Sequence, residues 1–236
     1  MKKINTILAA VSALLMLTVT SANSVEFKAG VSANGMAAYA NAKETLKGSG
    51  VATGRTTNEE AVLATSFASI FAEVSSDEMM GLGLGVSYAP EVADLAKETR
   101  HIADSSGGAD SGNDADGGVQ AVDAKINDLV SIYLTLPVGD SGAYVKAGYI
   151  QATMVTEESL ATGSKYEDID MTGTQIGAGY EGSLGDMAFW RAEGSFQMWE
   201  DMSAGGSESD GDDTTKNKIE AEIGSVMGSL SIGMKF

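Results

Sequence analysis

The chain has 236 residues with no cysteine, two prolines and 29 glycines, and 33 acidic against 15 basic residues give a net charge of −18. That charge argues against nucleic acid and against electrostatic docking on an anionic lipid surface. The missing thiols exclude a disulfide framework and a lipid-accepting cysteine, and an apolar content of 43% is too high for a disordered chain.

Residues 1–24 read as a signal peptide. Lys2 and Lys3 open it, the apolar run Ile7–Val19 follows, and the small residues after it fit cleavage after Ser24 or after Ala22. The remaining domain, 25–236, carries a net charge near −20 and contains no further apolar run long enough for a helical span.

Eight alternately apolar runs follow. In the first, Val25–Ala40, residues Val25, Phe27, Ala29 and Val31 oppose Glu26, Lys28, Gly30 and Ser32. The second, Ala61–Val74, is apolar in both phases and assigns no face to Phe67 or Phe71. In the third, Met79–Ala89, residues Met80, Leu82, Leu84, Val86 and Tyr88 alternate with Gly81, Gly83, Gly85 and Ser87. One face is large and apolar, and the other has almost no side chains. Beyond it, Val92, Leu95 and Ala96 stand at helical spacing within Pro90–Ser105, which predicts a short helical turn capping a barrel mouth, with His101 past it.

Ala124–Leu136 and Ala143–Val155 are the fourth and fifth runs. In the sixth, Met171–Glu181, residues Thr174, Ile176, Ala178 and Tyr180 oppose Gly173, Gln175, Gly177, Gly179 and Glu181. The seventh, Met187–Trp199, sets Ala188, Trp190, Ala192, Gly194, Phe196 and Met198 against Arg191, Glu193, Ser195 and Gln197. The eighth, Ile219–Phe236, ends with Leu230, Ile232, Met234 and Phe236 on one face, and a phase slip near Gly224–Val226 predicts a β-bulge.

Each run is near or above the roughly 9–11 residues that a tilted strand needs to cross a bilayer. The gaps between runs alternate between long, polar segments and the short turn formers "SSDE", "PVGDSG" and "GSLGD". The fold class that follows is all-β: a transmembrane antiparallel up-and-down β-barrel of eight strands, with short periplasmic turns and long outer loops. Apolar faces then look into lipid, and small residues face a lumen barely wide enough for its own side chains.

The chain ends in "LSIGMKF", with an aromatic last residue. This resembles the C-terminal signal of bacterial outer-membrane barrels. With the leader and the loop alternation, the chain resembles the eight-stranded OmpA/OmpX-type, opacity-protein-like outer-membrane family over its whole mature length. The resemblance implies residence in the bacterial outer membrane among its lipid and lipopolysaccharide. It also implies that Phe236 is read by the barrel-assembly machinery, and that charge pairs plug the lumen.

Three constellations bear on chemistry. The inward charges Glu26, Lys28, Glu73, Lys146, Glu181, Arg191 and Glu193, with Lys235, must pair or reach water in a narrow lumen. The partner expected for Arg191 is Glu193, with Glu181 on a neighbouring strand as the alternative; an ion path is the other use for such a set. Asp110, Asn113, Asp114 and Asp116 form a candidate cation-binding loop with oxygen ligands suited to calcium. The EF-hand spacing is absent, so a solvated acidic loop with no resident metal is expected.

The single histidine, His101, lies in an acidic segment without a serine or carboxylate on the adjacent strand face. No catalytic residue and no cofactor is assigned. The functional expectation is an integral outer-membrane barrel with a structural and surface-interaction role and a closed or nearly closed lumen. The alternatives are a small porin-like or OmpW-like channel for small or hydrophobic solutes, and a soluble exported β-barrel with an apolar ligand inside. Oligomeric state is not specified by the sequence.

Overall fold

The computed structural model describes residues 25–45, 56–101, 119–159, 168–205 and 218–236. The strands are β1 (Val25–Thr45), β2 (Thr56–Ser76), β3 (Leu82–His101), β4 (Val119–Pro137), β5 (Ala143–Ser159), β6 (Ile169–Ser183), β7 (Ala188–Trp199), the short β8 (Met202–Gly205) and β9 (Lys218–Lys235). Neighbours pair antiparallel in chain order, β8 continues the line of β7 along β9, and β1 pairs with β9. The sheet is therefore a closed antiparallel barrel of eight staves.

Its geometry can be read from the register. Passing across paired residues from Lys28 through Glu73, Gly85, Tyr133, Gly148, Gln175, Gln197 and Ser225 returns to β1 at Ala38, ten residues along the strand. With ordinary strand spacings, that stagger over eight staves corresponds to a tilt of about 40° and a backbone radius of about 8 Å. Such a bore is filled by side chains.

Val25, Phe236 and the three tight turns share one rim. Phe27 and Phe236 exchange backbone hydrogen bonds there. The turn after β2 is a single 3-10 turn, Asp77–Met79, followed by Met80 and Gly81, both with positive φ. Met80 thus belongs to the turn and not to the apolar stripe of β3. At the opposite rim, the strands run further than the apolar alternation suggested, β1 to Thr45 and β2 from Thr56.

Outside, Val31, Ile70, Ile132, Leu134, Val145, Ile176, Trp190, Phe196, Leu230 and Ile232 are exposed, on every stave except β3. An apolar exterior on a sheet with no free lateral edge at its closure is the solution that lipid demands. The soluble, ligand-binding alternative places this stripe inside and is overturned by the outward direction of these side chains. No described helix is long and apolar enough to cross a membrane. The strands are what cross it.

Two expectations are corrected. Pro90–His101 is strand, paired with β4, and not a helical turn. Hydrogen bonding to β4 outweighs the local helical spacing of Val92, Leu95 and Ala96, and the mismatch is absorbed by register shifts between Glu91 and Ala93 and between Leu95 and Glu98. In β9, the registers with β1 and β7 run without interruption through Gly224–Val226. The irregularity lies on the facing stave: Met198 pairs with Gly224 and Met202 with Ala221, so Glu200–Asp201 carries the extra residue. Ile223 and Met227 are apolar on the inner face because the upper lumen is apolar, not because the phase slips.

Candidate functional site in the barrel lumen

The inward side chains form three layers. Nearest the turn rim is a layer of charges. Arg191 on β7 makes a two-pronged contact with Glu73 on β2, Nη1 to Oε2 at 2.8 Å and Nη2 to Oε1 at 2.7 Å, and its Nε donates to Glu181 on β6 at 2.8 Å. Lys28 on β1 reaches Glu181 at 2.9 Å and Glu26 at 3.1 Å. Lys146 on β5 donates to Glu193 at 2.8 Å, and the Tyr144 hydroxyl donates to the other Glu193 oxygen at 2.9 Å.

Seven of the eight inward charges named from the sequence thus meet in one layer, in two groups, while Lys235 stands at the last position of β9. Arg191 pairs with Glu73 and Glu181, while Glu193 belongs to Lys146 and Tyr144. Of the two partners expected for Arg191, Glu181 is met and Glu193 is not. Glu193 lies two residues along the same strand as Arg191, whereas the guanidinium reaches across the bore to β2.

Four aromatic rings enclose this layer. The Arg191 guanidinium carbon lies 5.4, 5.2 and 5.4 Å from the ring centres of Phe71, Phe189 and Tyr144, and Lys146 Nζ stands 4.1 Å over Tyr133. Each ring sits opposite a glycine on the neighbouring strand: Phe71 with Gly30, Tyr133 with Gly85, Tyr144 with Gly179, and Phe189 with Gly233. A Cβ at any of these glycines would strike the ring. The bare face of "GLGLG" is therefore a slot. Gly85 takes the Tyr133 ring, and Gly83 takes Thr135 and the Glu73 carboxylate. Packing rings beside cations also lowers the cost of holding charge away from water.

Above the charges is a belt of uncharged polar groups. Ser32 and Ser231 share a hydrogen bond of 2.8 Å, and Asn34 bonds Ser69 and Ser229 at 3.0 and 2.7 Å. Gln175 donates to Ser131, and Ser225 links Gln197 to the Trp199 indole. The belt borders a cavity of about 40 Å³, roomy enough for water. Near the far mouth the lining turns apolar: Met36, Ala89, Val92, Ala93, Ile126, Leu129, Ile150 and Ala152 pack together, with Leu63 and Phe67 against them.

Among the described residues the wall is interrupted between β2 and β3, and β8 pairs with β9 alone. β2 and β3 pair only from Ser76–Leu82 to Ile70–Tyr88, although both strands continue toward the far rim. The unpaired stretch starts at Ala89 and continues at once into Pro90, which has no N–H to donate. Opposite Pro90, Asp128 adopts φ +57° and accepts a 2.6 Å hydrogen bond from Tyr88. Phe67, Phe71, Pro90 and the four ring–glycine pairs were not assigned roles from sequence. Only part of the signal was present in the sequence: glycines on inward faces, and a proline directly after an apolar run.

Asp110, Asn113, Asp114 and Asp116 lie outside the described residues, as does the leader 1–24. His101 ends β3. Phe236 packs its ring against Phe27, with centres 6.0 Å apart, at the closure of the barrel.

Neither a family model nor a curated protein matches this chain. Solved structures do. The outer-membrane protein OprG of Pseudomonas aeruginosa aligns over 90% of this chain and 96% of its own, with 12% identity and a TM-score of 0.51. The fold is that of the outer-membrane β-barrels. The outer-membrane protease OmpT of Escherichia coli (11% identity, 89% and 97% covered, TM-score 0.41) and Ail, the attachment invasion locus protein of Yersinia pestis (12%, 88% and 99%, TM-score 0.39), are similar at lower scores. The closed eight-stave sheet is the architecture of the OmpA/OmpX type, and with its apolar exterior the chain has the fold of an outer-membrane β-barrel.

Proposed function

We propose that this barrel is closed along its axis and serves as a structural and surface-interaction protein of the outer membrane, without enzymatic activity. The observation that carries this reading is the paired charge layer. Arg191, Glu73, Glu181, Lys28 and Glu26 join across the bore, with rings in the remaining space. Side chains buried this way, with Arg191 and Glu73 only 6% and 2% exposed, leave no aqueous path. The strand extensions beyond the apolar belt, with Glu60, Asp94, Asp170 and Glu222 exposed, then form the surface offered outward. Purified protein in planar bilayers should give no unitary current, and reproducible ionic steps would overturn the closed reading.

A second reading has its own observation. The β2–β3 discontinuity stands beside the apolar upper lumen, so a small hydrophobic solute entering at the far mouth would meet an apolar wall, a polar floor and a side exit toward lipid. Under this reading the barrel passes apolar solutes sideways while staying closed to ions. Transfer of an apolar fluorophore into vesicles containing the protein, compared with protein-free vesicles, tests it. Equal transfer would remove it.

A further inference from the structure

We propose that Thr65 is a latch holding the β2–β3 seam shut. The proposal deepens the lateral reading above, on which its transport consequence rests, while the latch itself is a property of the wall. Beyond Ile70–Tyr88, β2 is held by β1 alone and β3 by β4 alone, each through its own ladder. The two hairpins can therefore part along this line without breaking a ladder bond.

Among the described residues, one hydrogen bond crosses the unpaired stretch: Thr65 Oγ1 donates to the Val92 carbonyl at 2.8 Å. Val92 is the residue skipped where Glu91 pairs with Asn127 and Ala93 with Ile126, so it has no partner residue on β4. It is also 97% buried. A buried carbonyl requires a donor, and Thr65 supplies one from the other side of the seam. Its inward neighbours on β2 are Leu63 and Phe67, which pack against the apolar cluster. A hydroxyl between two apolar side chains is unexplained by packing and explained by that carbonyl.

The test compares Thr65→Val, which keeps the shape and removes the donor, with Thr65→Ser, which keeps the donor. Amide hydrogen exchange is followed at Leu63–Phe67 and Ala89–Ala93 in refolded, vesicle-inserted protein, with β5–β6 amides as the control for global stability. Thr65→Val should speed exchange at the seam about tenfold, the scale of one lost buried hydrogen bond, with control amides unchanged and Thr65→Ser near the parent. A Thr65→Cys/Val92→Cys pair, oxidised, should restore slow exchange even if Thr65→Val refolds in low yield. Seam exchange in Thr65→Val equal to the parent, or a reduced cysteine pair as protected as the oxidised one, would overturn the latch. Faster seam exchange with unchanged apolar-fluorophore transfer would support the latch and sink the lateral reading.

Discussion

Arg191 holds more of the lumen together than any other single side chain, because its three nitrogens serve two carboxylates on opposite sides of the bore. Arg191→Ala strands Glu73, and removing one partner of a buried pair costs about 3–5 kcal/mol. Urea unfolding of the refolded barrel should report that loss. Adding Glu73→Gln should recover part of it, and adding Glu193→Gln should recover none. The inward direction of these charges was legible, since alternation alone places Arg191 and Glu193 opposite Trp190 and Phe196. Who pairs with whom was not, because it depends on a stagger that no local pattern records. Glycine gives a sharper contrast at the same scale. Gly85 accommodates the Tyr133 ring, while a Cβ added at Gly228 would meet nothing within 4 Å. Gly85→Val should cost about 1–3 kcal/mol by overpacking, whereas Gly228→Ala should leave the unfolding midpoint at or above the parent value. Equal effects would mean that the ring slots do not govern these glycines.

At the scale of the element, strand identity was legible and strand extent was not. β6 and β7 match their apolar alternation almost residue for residue, because both lie wholly between lipid and lumen. β3 does not, because its second half leaves the apolar belt and loses β2 as a neighbour. There the helical spacing of Val92, Leu95 and Ala96 was a local signal overruled by pairing with β4, and Pro90 was the better clue to an interrupted ladder. Face assignment by alternation has a direct consequence in β7. Ala192→Lys places a charge in lipid, at a cost of about 2–4 kcal/mol near the midplane, whereas Ser195→Lys places one in the lumen beside Gly177. Refolding into thicker bilayers should worsen the first defect and leave the second unchanged. The last strand carries a different expectation. Phe236 closes the ladder with Phe27, and we propose that it is also read during assembly, so Phe236→Ala should lower the yield of assembly by cells more than it lowers the unfolding midpoint of the finished barrel. Similar cellular yields for parent and variant would leave Phe236 with only its packing role.

For the whole molecule, the layers of the lumen act in series. Charges near the turn rim are paired and ringed, and a polar belt separates them from an apolar cluster below the far mouth. Under the proposed closed reading, an ion crossing the barrel must displace the first and lose its hydration at the third, since narrow apolar constrictions exclude water. Barriers in series imply that breaching either one alone leaves the path shut. Arg191→Ala/Glu73→Ala/Glu181→Ala removes the bridging charges without touching Leu129 or Ile150, so this variant should remain silent in planar bilayers despite its lower stability. Leu129→Ser/Ile150→Ser hydrates the upper lumen but leaves Arg191 clamped, and should be silent as well. Only the five-fold combination should pass current, without strong ion preference, because Glu26 and Glu193 remain in the bore balanced by Lys28 and Lys146. Unitary steps from the charge-layer variant alone would show that the apolar cluster is no barrier, and the closure of the axis would then rest on the Arg191 network by itself.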